Sequence, residues 1–221
     1  MLVMINLMKR QPFFRKPFTY TYFRAALWII AINIVFFCFT SVMPQMKYYL
    51  SMNVYYLIGR KMFWQPVSYM FTHGSFVHLL FNMFVLYQIG TAVERAIGSK
   101  EFLIFYFVTG ILSGLLSLLV YLLTGQWAVF LLGASGAIYG LLLAYAVLFP
   151  KAKLFIWGII PVSAPLLVIV YAFIELLSGM EGSSGVAHSA HLFGILVAWL
   201  YFVIRFGVHP LKIWKESFRN R

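Results

Sequence analysis

The stretch LGASGAIYGLLLAYAVLF, residues 132–149, carries no charge and opens on a serine flanked by small residues. It is close to the roughly 20 apolar residues that a helix needs to fill the hydrocarbon core of a bilayer. Five further stretches of the same kind surround it, at about 25–43, 76–93, 102–123, 154–177 and 187–206. The composition agrees: of 221 residues, 63% are hydrophobic and 10% charged, against about 25% charged in soluble domains. A water-soluble globule is excluded, and none of the stretches alternates as a barrel strand does. The pattern predicts an all-α membrane protein, a six-transmembrane-helix bundle with short loops.

The net charge of +12 is read as topological, with no nucleic acid as partner, because basic residues flank the apolar stretches. With a cytoplasmic amino terminus, fourteen of the seventeen Lys and Arg fall inside: Lys9, Arg10, Arg15, Lys16, Arg24, Arg95, Lys100, Lys151, Lys153, Arg205, Lys212, Lys215, Arg219 and Arg221. Only Lys47, Arg60 and Lys61 stay outside, as the positive-inside rule expects, and both termini are then cytoplasmic. The chain divides into a basic cytoplasmic segment 1–24, a six-helix domain 25–206 and a basic cytoplasmic tail 207–221. Phe39-Thr40-Ser41-Val42-Met43-Pro44 offers no small-x-small cleavage site, so the first stretch is expected to remain as an anchor. The single Cys38 excludes an internal disulfide and a Cys-x-x-Cys pair.

Two loops stand out. The first, 44–75, is rich in aromatic residues and is expected to rest in the membrane interface. The second, Ser178-Gly179-Met180-Glu181-Gly182-Ser183-Ser184-Gly185, is built for mobility and could gate a site. Pro161 and Pro165 are expected to break the fifth helix.

Polar groups in spans are costly and mark function. The second stretch places His78 and Asn82 four apart, on one helical face. The fourth begins Gly133-Ala134-Ser135-Gly136 and continues to Tyr139 and Gly140. The sixth begins Ala187-His188-Ser189-Ala190-His191, with Gly194 and Ala198 beyond. By topology, stretches two, four and six all run inward from outside, so His78, Ser135 and His191 share one depth, about 10 Å or less below the outer boundary. Gly136 and Gly140 face a second small-residue ridge, Ala190, Gly194 and Ala198, which predicts backbone-to-backbone contact between helices four and six. A serine hydroxyl beside an imidazole is the minimum for nucleophilic catalysis.

Taken together, the chain resembles the rhomboid intramembrane serine proteases. The resemblance rests on His78-Leu79-Leu80-Phe81-Asn82, on Gly133-Ala134-Ser135-Gly136-Ala137-Ile138-Tyr139-Gly140, on Ala190-His191-Leu192-Phe193-Gly194, and on the turn Glu94-Arg95-Ala96-Ile97-Gly98-Ser99. It implies that Ser135 is the nucleophile and His191 the general base, with Tyr139 positioning the imidazole and Gly133 and Gly136 in support. It also implies an oxyanion hole of His78, Asn82 and the Ser135 amide. Many rhomboids carry Trp-Arg in the first loop, where this chain has Trp64-Gln65.

The chain has no aspartate. Of its glutamates, Glu94 and Glu101 fall at the cytoplasmic end and Glu216 in the tail, while Glu175 and Glu181 lie toward the outer side and stay open as partners. A Ser135–His191 dyad, and therefore a slow enzyme, is expected. The expected partners are transmembrane protein substrates and the lipid bilayer; no cofactor and no metal are expected. The short loops suggest a bacterial plasma membrane, with the site open to the extracellular side. The competing readings are a rhomboid-like binder of transmembrane helices that does not cut, and a metal site of His73, His78, His188 and His191, which lacks a clearly placed carboxylate. His188 is a second candidate base, with His191 preferred for its Ala-His-x-x-Gly setting.

Overall fold

The structure, a computed structural model, describes residues 15–16, 18–156, 159–181 and 188–219. It is mostly helical. Helix α1 spans Ala25–Val42, α2 Phe76–Ile97, α3 Ser99–Leu123, α4 Ser135–Leu148, α5 Ala164–Glu181, α6 His188–Phe206 and α7 Pro210–Arg219. Helices α1, α2, α3 and α6 are long and apolar enough to cross a membrane, and α4 and the Ala164–Gly179 part of α5 are shorter apolar helices. Four short helical turns, Met46–Leu50, Tyr55–Gly59, Gln65–Ser68 and Tyr69–Phe71, fill the connection from α1 to α2.

Helix α4 is the hub. Ten of its fourteen residues are buried, against five of eighteen in α1, so α4 is surrounded by protein and α1 stands at the rim. Small residues make this possible. A Cβ at Gly194 of α6 would lie 2.1 Å from the Gly136 carbonyl oxygen, and one at Gly140 would lie 3.2 Å from the Gly194 oxygen. The two backbones therefore touch, as the spacing of the ridges predicts. Cβ positions on α4 also meet α3: at Gly136 one would lie 2.4 Å from Ser113 Oγ, and at Gly140 2.3 Å from Thr109 Cγ2. Large apolar side chains such as Trp28, Val35, Phe84, Leu119, Phe173 and Leu196 stay exposed around the bundle, the surface expected of a protein whose solvent is lipid.

One end of the bundle is fastened by carboxylates. Glu94, fully buried, accepts from the amides of Ala25 and Ala26 at 2.6 and 3.0 Å and from the Ser99 hydroxyl. It satisfies orphan donors at the start of α1 and meets the positive end of that helix dipole. Gly98 makes the α2–α3 turn at φ +85°, against the Thr21 carbonyl. Nearby, Glu101 binds Arg205 at 2.7 Å and accepts from the Tyr201 hydroxyl at 2.5 Å, tying α3 to α6.

The opposite connection is ordered by polar contacts. Gln65, where many rhomboids have arginine, is fully buried. Its amide donates to Tyr49 O at 3.3 Å, and its carbonyl accepts from the Asn53 amide at 3.2 Å. Asn53 donates onward to the carbonyls of Trp127 and Val129, and Met52 pairs with Leu131 across an isolated antiparallel bridge. The first loop thus holds the segment before α4. Tyr48, Tyr55, Phe63 and Trp64 remain exposed on it, while Tyr69, Met70 and Phe71 enter the core.

The fifth stretch departs from its reading. Instead of a helix from 154, strands β1 (Lys153–Ile156) and β2 (Ile160–Ser163) form an antiparallel hairpin, with Phe155 opposite Pro161. Proline removes a helix donor and pushes its predecessor to extended backbone. Pro161 therefore sits in a strand, and Pro165 falls at the second position of α5, where a missing N–H costs nothing. Neither proline breaks a helix interior. Of the expected mobile segment, residues 178–181 belong to α5, and 182–185 lie outside the described residues. Within the basic tail, α7 docks Trp214, whose indole donates to Ala146 O at 2.9 Å.

Candidate active site

The start of α4 places Ser135. With fourteen residues, Ser135 the first of them, α4 is about 21 Å long, shorter than a ~30 Å hydrocarbon core. Gly133 leads into it at φ +112°, a backbone conformation glycine adopts freely. Its amide donates to Tyr69 O at 2.9 Å. A Cβ there would lie 2.7 Å from Cε1 and 2.8 Å from Nε2 of His78, and 3.9 Å from Ser135 Oγ. The missing side chain brings the His78 ring and the Ser135 hydroxyl to the same small space.

His78 is fixed from its own helix. The Ser75 hydroxyl caps α2 by accepting from the His78 amide at 3.1 Å, and the Asn82 side-chain amide donates to His78 O at 2.9 Å. The expected i, i+4 pairing on one face is present. Behind it, His73 is completely buried, with its ring centroid 5.0 Å from that of His78. Burial pushes the His73 pKa down to about 4, and the neighbouring His78 acts in the same direction. His73 is therefore an uncharged packing partner at neutral pH.

His191 reaches across from the first turns of α6. Its Nε2 is 2.7 Å from Ser135 Oγ. The ring lies flat on Tyr139, at 4.2 Å between centroids and 7° between planes, so the tyrosine one turn below Ser135 sets the plane of the imidazole. The site opens into a cavity of about 660 Å³, lined among others by His78, Asn82, Ser135, Tyr139 and His191, with Phe81, Phe130, Leu142 and Tyr171 as apolar walls. Residues from α2, α4 and α6 thus meet in one depression, as their common depth predicts.

Sequence reasoning left one partner of His191 open. Glu175, on α5 and only 6% exposed, holds Oε1 2.9 Å from Nδ1 of His191 and Oε2 2.5 Å from Nδ1 of His188. The His191 approach is close enough for an ion pair but is not aligned as an ideal hydrogen bond. The Tyr139 hydroxyl donates to the same carboxylate. The expected Ser135–His191 pair is thus accompanied by a carboxylate. The available signal was a lone glutamate inside an apolar span.

The four histidines of the competing metal reading do not gather in one place. His73 and His78 pair with each other, whereas His188 and His191 gather at Glu175, with ligand atoms within 4.8 Å of one another. A carboxylate thus accompanies two of the four histidines. These atoms could share a cation, although contacts of 2.5 and 2.9 Å are those of groups bonded directly.

Comparison with known proteins follows the same residues. A family model described as "Rhomboid domain" matches residues 60–208. The chain is 35% identical over 142 residues to RHOMBOID-like protein 12, mitochondrial, of Arabidopsis thaliana, covering 58% of this chain and 42% of the relative. It is 29% identical over 190 residues to Presenilin-associated rhomboid-like protein A, mitochondrial, of Danio rerio, covering 85% and 48%. It is 37% identical over 92 residues to Rhomboid protease GluP of Bacillus subtilis, covering 39% and 16%. The chain thus spans less than half the length of each. Two of these names are mitochondrial and one organism is bacterial, so they do not single out a bacterial plasma membrane.

Proposed function

Because the chain belongs to the rhomboid family of membrane proteins, we propose that it is an intramembrane serine endopeptidase that cuts transmembrane protein substrates near one end of their spans. The observation that carries this reading is the 2.7 Å approach of His191 Nε2 to Ser135 Oγ inside a cavity. The imidazole takes the hydroxyl proton as Oγ attacks the scissile carbonyl, then returns it to the leaving amine. Water attacks the acyl-enzyme by the same route. The developing oxyanion is met by the Ser135 amide, one of the free donors at a helix start, and by the His78 and Asn82 side chains on the facing wall. Tyr139 positions the base, and Gly133 and Gly136 let the three helices close on the serine. No cofactor is needed for these steps.

In this reading all six apolar helices lie within the bilayer. Both termini occupy the side rich in Lys and Arg, and the cavity opens on the opposite face. A substrate bond there is held in its own helix, so segments that unwind easily are preferred.

The test is cleavage of a reporter transmembrane segment by the purified protein in detergent. The wild type cuts and Ser135→Ala does not; equal products from both remove the enzyme, and leave a binder of transmembrane helices. A second reading, a divalent-cation centre, rests on the gathering of Glu175, His188 and His191. Dialysis against EDTA separates the two: the protease keeps its rate, and loss of cleavage that zinc restores favours the metal.

A further inference from the structure

Within the site just proposed, Glu175 is used by no step above, yet it is the group most tightly surrounded by site residues. It comes from α5, the helix packed against both α4 and α6. Its two oxygens are engaged by three side chains: His191 Nδ1 at 2.9 Å, His188 Nδ1 at 2.5 Å and the Tyr139 hydroxyl. Two of those residues flank Ser135 directly, for Tyr139 carries the ring on which His191 stacks.

We propose that Glu175 is the positioning residue of the protease, completing a Ser135–His191–Glu175 relay with Tyr139 and His188 holding its carboxylate. The inference rests on the serine-protease reading. A carboxylate only accepts, so the proton on His191 is directed to Nδ1, facing Glu175 Oε1, and the lone pair on Nε2 is directed at the Ser135 hydroxyl. As the Oγ–C bond forms, the Oγ proton passes to Nε2 and the imidazolium lies beside the Glu175 negative charge. That proton leaves with the amine as the C–N bond breaks. Glu175 stays ionised throughout and touches no substrate, so its effect falls on turnover and not on binding. His188 engages Oε2, and the Tyr139 hydroxyl donates to Oε1, the oxygen that also faces His191, so the two side chains hold the carboxylate in place.

The experiment measures kcat and KM for the reporter segment with wild type, Ser135→Ala, Glu175→Gln and Glu175→Asp, with melting temperature as the control for folding. In the soluble serine-protease template, the equivalent amide substitution lowers kcat about 10⁴-fold. For Glu175→Gln the expected loss is at least about 100-fold in kcat with KM within about threefold, and Glu175→Asp, which keeps the charge one methylene away, recovers at least about tenfold of it. In a His191→Ala background, Glu175→Gln is expected to change the residual rate by less than about twofold, because residues acting as one unit are not additive. If Glu175→Gln does not fold, Glu175→Asp decides: a lowered kcat at unchanged KM supports the role, and wild-type kcat contradicts it. A folded Glu175→Gln that cuts at the wild-type rate, while Ser135→Ala is dead, overturns this inference and leaves the protease standing. Equal cutting by wild type and Ser135→Ala removes the protease itself.

Discussion

Gly133 shows how much one side chain less can position. Its φ of +112° and the 2.7 Å that would separate a Cβ from His78 leave no room for any other residue. Gly133→Ala is expected to push His78 off the serine. Displacements of this order cost about 10²-fold in rate, so kcat should fall by about that factor. His73 gives a second prediction. Its pKa is lowered to about 4 from an unfolded value near 6.5, so the unfolded chain binds the extra proton first. Stability is then full above about pH 6.5 and is lost as pH falls toward 4. The melting temperature of wild type should drop between pH 7 and 5, and His73→Phe should drop less; equal slopes would contradict the assignment. At this scale the sequence was informative for the residues that line the proposed site: Ser135, His191, His78 and Asn82 announce themselves as polar groups in apolar spans. Glu175 stood out only as a glutamate in an apolar span and stayed open as a partner, because its neighbours lie 36 and 16 positions away on other helices and no periodicity links them.

Elements are held together by close backbones and by a few buried charges. Gly194 packs on the Gly136 carbonyl, so Gly194→Val should separate α4 from α6, lower the melting temperature and abolish cleavage together. At the far end, Glu101 is 2% exposed and engages Arg205 and Tyr201. Removing one partner of a buried pair costs about 3–5 kcal/mol, so Glu101→Gln should lower the unfolding free energy by about that amount while leaving kcat of the remaining folded enzyme unchanged. The small-residue ridges predicted the α4–α6 contact correctly. The hairpin at 153–163 was missed because apolar content alone does not separate helix from strand over short runs, although Pro161 carried the necessary warning. Helix α7 lay outside the six apolar stretches, because its sequence is largely polar and only Pro210 and Trp214 are buried in it.

For the whole molecule, the organising feature is a short, buried central helix packed against longer ones, with a polar site at its first turn in an otherwise apolar body. The proposed orientation rests on charge, with Arg95, Lys100 and Arg205 on the basic side and the cavity expected to open on the other. With Cys38 replaced by serine, a cysteine placed at Gln126 and one placed at Ser217 should react with a membrane-impermeant thiol reagent from opposite faces of sealed vesicles; reaction from the same face would contradict the topology. The central claim is that Ser135 is an activated nucleophile made so by His191. Its most direct test is labelling of the purified protein by a fluorophosphonate, with the adduct located by mass spectrometry. The account predicts one adduct, on Ser135, lost in His191→Ala; label absent from Ser135, or undiminished without His191, would contradict it.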